Sequence, residues 1–352
     1  MAQSFVYTSN PARIVFGAGS IRQIAKELRR LGGTRALVLS TPSQHPNAQL
    51  LSEQLCTLSA GIYTNAIMHT PVAVTEQAMT IFAACGADCV VSLGGGSTIG
   101  LGKAIAYRNN APQLVVPTTY AGSEVTSVLG QTENRIKTTV SDISILPEVV
   151  IYDPELTLSL PVQISITSGL NAMAHAVEGL YALNRNPVTS LMAIEGIRTL
   201  KHALPLIVAN PIDIQARTDA LYGAWLCGSV LGSVGMALHH KLCHTLGGSF
   251  NLPHAATHAI TLPHTIAYNA IAAAETLTPI TKLFGNNIGD GLYDFAVSLG
   301  APIALKDLGL KESELDYAAD IVVKNPYWNP RPLERKAIRA LLQRSWNGSR
   351  PE

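Results

Sequence analysis

The run CVVSLGGGSTIGLGK, from Cys89 to Lys103, constrains this chain more than any other stretch. Its first half is apolar and β-branched, as a strand buried on both faces must be. Gly94, Gly95 and Gly96 end that strand, and helical spacing resumes beyond them. Without Cβ atoms, successive amides at such a turn can face a diphosphate together with the positive end of the following helix. Ser97 adds a hydroxyl, and Lys103 adds a cation that approaches the phosphate unless it snorkels to solvent. The absence of GKS or GKT separates the run from an ordinary P-loop.

Around this turn the first half alternates short apolar runs with helical patterns: ARIVF, Ser20 to Leu31, RALVLS, Gln49 to Ser59, Gly100 to Tyr107 and QLVVPTT. That order predicts an α/β domain with a mainly parallel sheet and ligands at the strand ends. PTTYAGSE places Thr118, Thr119 and Ser123 just past one such end, where their hydroxyls either bind a nucleotide or cap the local turn. GAGSIR, from Gly17, reads first as a structural turn, because Arg22 stands where a dinucleotide fingerprint needs a third small residue. RALVLS ends in Ser40 and Thr41 rather than in the acid that pairs with a ribose hydroxyl, and His45 offers only a conditional charge. Both NADH and NADPH therefore stay open as cofactors.

VTSVLGQTENRIKTTV predicts two short strands around Glu133 and Asn134, followed by PEVVIYDP and a boundary near Asp153. The expected division is residues 1–155 as the nucleotide-binding domain and 156–352 as a mainly helical substrate domain. The 19 uncharged residues Ala220 to Leu238 approach bilayer length, but four glycines and two serines suit close packing of soluble helices better. Only 14% of the residues are charged, which points to extensive burial, and the formal net charge of +1 makes nucleic acid a poor partner. Five cysteines in neither a disulfide nor a zinc spacing, with no apolar leader, read as thiols of a cytoplasmic protein. The closing QRSWNGSRPE reads as a fraying tail.

Chemistry concentrates in the second half. NAMAHAVEGL sets His175 four residues after Asn171, HHKLCHTLGG sets His244 four after His240, and GGSFNLPH adds His254 on a loop. Residues four apart share one helical face. Three imidazoles and a carboxylate would hold iron or zinc, but Asn171 supplies only a neutral amide, so the favoured site is metal-free. Glu178 can reach His175, either to orient the ring or to cap local structure. His239, His258 and His264 read as supporting groups. His240 and Lys241 offer positive potential to a carboxylate. In NPYWNPRP, Tyr327 and Arg331 receive the other end of a dicarboxylate if the segment folds back; otherwise its prolines stiffen a turn that buries Trp328.

Together GGGS, PTTYAGSE, YDPELT, NAMAHAVE and HHKLCHTLGGSFNLPHAATH resemble the iron-containing alcohol dehydrogenase superfamily, and NPYWNPRP narrows the resemblance to its maleylacetate reductase family. The resemblance implies a Rossmann-like N-terminal domain and an all-α C-terminal domain in a dehydroquinate synthase-like architecture. It further implies a homodimer and reduction of a conjugated carbon–carbon double bond in a small dicarboxylate. His175, His244 or His254 would stabilise the enolate, one protonated group would deliver the proton, and the cleft would lie between domains. The wider superfamily has an aspartate at the position of Asn171 and binds metal through histidines matching His175, His240 and His254, so Asn171 weakens that inheritance. A metal-dependent alcohol, glycerol or lactaldehyde dehydrogenase is the alternative.

Overall fold

The computed structural model describes residues 5–9, 12–133 and 136–352. They divide into two compact units, one holding Ser9–Leu160 and the other Pro161–Glu352 with residues 5–8.

The first unit is built on a six-stranded parallel sheet. Its strands are β1 (Arg13–Phe16), β2 (Ala36–Leu39), β3 (Ser59–Tyr63), β4 (Cys89–Gly94), β5 (Gln113–Pro117) and β8 (Val149–Tyr152), in the order β1-β8-β5-β4-β2-β3. The helices α1 (Ile24–Arg30), α2 (His45–Leu55), α3 (Val72–Ala84) and α4 (Gly96–Asn109) connect them. Side chains alternate across the pleat. Val38, Val91 and Leu114 pack with Leu28, Leu51 and Leu55, whereas Leu37, Leu39 and Val90 pack with Ala78, Leu101 and Ile105 on the opposite face. Two buried faces explain why β4 reads as an unbroken apolar run.

The helix expected over Gln49 to Ser59 is α2, which ends at Leu55, and the following SAGIY, for which the sequence pattern predicts no strand, supplies β3 at the sheet edge. The two short strands are β6 (Val128–Glu133) and β7 (Ile136–Ser141), paired antiparallel, and the turn predicted at Asn134 lies outside the described residues. In GAGSIR the turn is structural, since the Asp153 carboxylate accepts from the amides of Gly19 at 3.0 Å and Ile21 at 2.9 Å.

The second unit is helical: α5 (Val162–Leu180), α6 (Pro187–Ala209), α7 (Ile214–Leu231), α8 (Leu238–Phe250), α9 (His254–Asn269), α10 (Ala274–Phe284), α11 (Ile288–Ser298), α12 (Leu315–Lys324) and α13 (Arg335–Asn347). The apolar run from Ala220 is broken where α7 stops, and among the described residues no helix is long and apolar enough to cross a membrane. Its glycines do serve packing: a Cβ at Gly223 would stand 3.1 Å from the Gly196 carbonyl on α6. The tail does not fray. QRSWN is the end of α13, where Trp346 donates to the Leu310 carbonyl at 2.8 Å and Ser345 is buried.

Candidate active site

In the first unit, β4 lies between β2 and β5, so the loops leaving these three strands share one edge of the sheet. From β2 the chain proceeds outward to β3, and from β4 in the opposite direction to β5. Such a reversal opens a crevice at the carboxyl ends, the usual ligand position in open α/β sheets. Gly94–Gly96, Thr118–Thr119 and Ser40–Thr41 all lie at that edge. The Thr118 amide donates to the Gly94 carbonyl at 3.1 Å, and the Gln44 amide group donates to the Thr118 hydroxyl at 3.4 Å.

Gly94 has φ +153, a conformation that side chains resist. Gly95 precedes α4 and offers no side-chain cap, so the helix begins with orphan amides beside an exposed Gly96. These residues fit the diphosphate of a dinucleotide.

Lys103 departs from expectation. Its side chain is fully buried, and its ammonium donates to Thr126 Oγ1 at 2.8 Å, the Val128 carbonyl at 2.9 Å and Ser123 Oγ at 3.4 Å. It thus ties α4 to the loop after β5 instead of offering its charge to a phosphate, and Ser123 is one of its acceptors. Burial lowers its pKa from 10.5 to about 7, opposed by the charge of Glu124. Between these values the unfolded chain binds more protons than the folded one, so this lysine makes stability rise with pH from about 7 towards 10.5. Thermal melts across pH 7 to about 9.5 are expected to lose that rise in Lys103→Met; identical pH slopes in both proteins would contradict the assignment.

In the second unit α5 and α8 bring the reactive residues together. Glu178 on α5 is fully buried and does not pair with His175 as expected. It accepts from the amide of His239 at 2.7 Å and from His240 Nδ1 at 2.5 Å, with the His240 amide at 3.4 Å. The carboxylate therefore caps α8, whose N-terminus favours negative charge, and orients one imidazole with the same two oxygens. His240 Nε2 in turn shares a hydrogen bond of 2.8 Å with His175 Nδ1. Glu178, His240 and His175 form one chain.

A second chain lies deeper. The Thr265 hydroxyl donates to the Thr261 carbonyl, so its oxygen accepts from His239 Nδ1 at 3.0 Å. His239 Nε2 then accepts from His258 Nδ1 at 2.9 Å, which leaves His258 Nε2 as an unprotonated acceptor with no partner. Burial pushes both imidazoles well below their ordinary pKa, consistent with neutral rings. His258 stands 5.1 Å from His240 and 4.3 Å from His254, measured between ring centres.

His244 lies 6.0 Å from His240 by ring centres, and its Nδ1 meets the Tyr327 hydroxyl at 3.0 Å. The NPYWNPRP segment therefore folds back, although Trp328 is exposed rather than buried. Arg331 is turned inward: its guanidinium sits 4.0 Å from the Tyr268 ring centre and donates to the Tyr268 carbonyl at 3.1 Å.

The residues matching the superfamily's metal ligands do not fit a resident ion. Asn171 is buried and neutral, with Oδ1 unpartnered, and a nitrogen of His175 is directed at one of His240. Among the described residues, the one converging group of ligand-type atoms is His239, Cys243 and His258. There the rings bond each other, and the Cys243 thiol bonds Thr261 Oγ1 at 3.1 Å.

The iron-containing alcohol dehydrogenase family model matches residues 11–154, and the C-terminal model of the Fe-containing alcohol dehydrogenase family matches residues 165–346. The chain belongs to the iron-containing alcohol dehydrogenase family. Within it, the chain is 63% identical to a maleylacetate reductase of Rhizobium sp. strain MTP-10005, covering 99% of this chain and 100% of that one. Identity to the maleylacetate reductase of Burkholderia cepacia is 51%, covering 99% of each chain. The crystal structure of maleylacetate reductase from Agrobacterium tumefaciens matches with a TM-score of 0.95 and 62% identity, covering 99% of this chain and 100% of that one.

Proposed function

We propose that this chain reduces maleylacetate to 3-oxoadipate with NADH or NADPH. The observation that carries the reading is the full-length likeness to maleylacetate reductases. The site supports it, because a buried chain of carboxylate and imidazoles can handle protons in a reaction whose substrate is already polarised by its own ketone.

A reduced nicotinamide supplies the hydride. Hydride addition to the alkene carbon β to the ketone forms an enolate, and a proton at the adjacent carbon completes the product. Gly94–Gly96, Ser97 and Thr118–Thr119 would hold the cofactor, and Ser40 and Thr41, at the same edge of the sheet, would be available to its ribose. On the substrate side, His175 at the end of the chain presents its Nε2 to the enolate oxygen, and Glu178 fixes His240 by holding Nδ1–H while His240 Nε2 faces His175 Nδ1. The proton shared between His240 Nε2 and His175 Nδ1 allows charge to move along the chain as the enolate forms. His254, beside His258, is the remaining candidate proton donor. No step is assigned to a metal, because Asn171 supplies no anion and the imidazoles bond one another.

The test is oxidation of each reduced nicotinamide in the presence of maleylacetate, before and after chelation. Substrate-dependent oxidation that survives metal removal is expected. No oxidation by folded protein refutes the activity, and activity that returns only on adding iron or zinc refutes the metal-free chemistry.

A further inference from the structure

Next to the imidazole chain, α8 carries a cation that the mechanism has not used. Lys241 is partly buried. Among the described residues no carboxylate pairs with it, and its ammonium rests 5.7 Å from the centre of the Tyr327 ring. A cation taken partly out of water without an anion is matched to an anion that a ligand brings. Arg331 does not fill this role, because its guanidinium is stacked on Tyr268 and bonded to that residue's carbonyl.

The ring under Lys241 is placed by Asn329. Its Oδ1 accepts from the Leu238 amide, at the start of α8, at 3.2 Å and from Asn269 Nδ2, at the end of α9, at 2.9 Å. Its Nδ2 donates to Asn269 Oδ1 at 2.7 Å and to the Arg331 carbonyl at 2.6 Å. One side-chain amide thus ties the proline-rich segment to both helices. Two residues earlier, Tyr327 reaches His244. Lys241 and His244 are three residues apart on α8, so the ammonium, the imidazole and the phenol gather on one helical face.

We propose that Lys241, His244 and Tyr327 form a subsite for the carboxylate on the acetate arm of the substrate, the end remote from the double bond, and that Asn329 is the positioning residue that builds it. This rests on the functional reading above. The subsite makes a second carboxylate a condition of productive binding: a substrate without it leaves the Lys241 charge unanswered. Discrimination of this kind is expected, because the penalty falls on a partly buried charge rather than on a missing methylene.

Steady-state kinetics of the full-length enzyme can compare maleylacetate with its methyl ester at the acetate-arm carboxylate. Lys241→Met is expected to raise KM for maleylacetate about 10- to 100-fold, to leave KM for the reduced nicotinamide unchanged, and to erase the preference for diacid over ester. Asn329→Ala is expected to reduce the same preference. Because that variant also strips bonds from two helices, Tyr327→Phe, which keeps the ring and removes only the hydroxyl, serves as the second probe and should lower the preference several-fold. An unchanged preference in Lys241→Met overturns the subsite, and a reduction in Lys241→Met but in neither Asn329→Ala nor Tyr327→Phe overturns the positioning role. Calorimetric titration with succinate judges the subsite separately: weaker binding in Lys241→Met but not in the exposed control Lys336→Met supports it, and equal binding overturns it. If the wild-type protein oxidises no cofactor with maleylacetate, the functional reading fails while the succinate titration still decides the subsite.

Discussion

Glu178→Gln is expected to lower kcat by about 10²-fold while leaving KM for the reduced nicotinamide unchanged. The substitution preserves size and still offers an oxygen to the His239 amide. What it changes is the partner of His240 Nδ1: an NH₂ group directed at that atom cannot accept its proton, so the ring loses the hydrogen bond that sets its tautomer. His240 Nε2 then presents the wrong partner to His175, and the chain no longer transmits charge. Glu178→Ala goes further, because it also uncaps α8 and leaves the buried Nδ1–H unanswered. A loss of about 3 kcal/mol is expected, read as a fall of roughly 10 °C in the melting temperature of the folded enzyme. Wild-type kcat in Glu178→Gln would show that His240 is oriented by other means.

The second large effect is expected at Gly96. A Cβ built there has open space around it, the nearest atom being Ala121 Cβ at 4.0 Å, and alanine suits a helix better than glycine. Gly96→Ala should therefore fold at least as stably as the wild type. If the diphosphate approaches the first turn of α4 as proposed, the added methyl group stands in its path, and KM for the reduced nicotinamide should rise by more than about 10-fold. Gly94→Ala is the informative contrast. Its φ of +153 and a Cβ only 2.5 Å from Thr98 Oγ1 predict strain that destabilises the unit by about 1–3 kcal/mol with or without cofactor. Unaltered cofactor kinetics in a stable Gly96→Ala protein would remove the diphosphate from this turn.

The sequence makes the backbone scaffold more legible than the destinations of long side chains. The strand and helix on either side of Gly94–Gly96 follow from an apolar run, a composition break and the return of helical period. The pairing of Asn171 with His175 on one helix follows from spacing alone. Lys103 and Arg331 are less legible, because a flexible cation takes its direction from distant partners: Thr126 and Val128 for one, Tyr268 for the other. Glu178 was recognised as an orienting or capping group, yet its ring is His240 on another helix, a contact that no local pattern encodes. β3 leaves a weak periodic signal, because SAGIY is only partly buried and contains a glycine. The docking of α13 depends on Trp346 meeting the Leu310 carbonyl, again a relation between distant segments.

Asn171 carries a consequence for selection and engineering. Its side-chain oxygen is buried without a partner, a state that costs about 1–3 kcal/mol of desolvation, while an apolar side chain of similar volume would pay no such penalty. A laboratory screen that rewards heat resistance alone would therefore discard this asparagine early, and with it a neutral polar group one helical turn from His175. At this position durability and turnover are expected to pull in opposite directions.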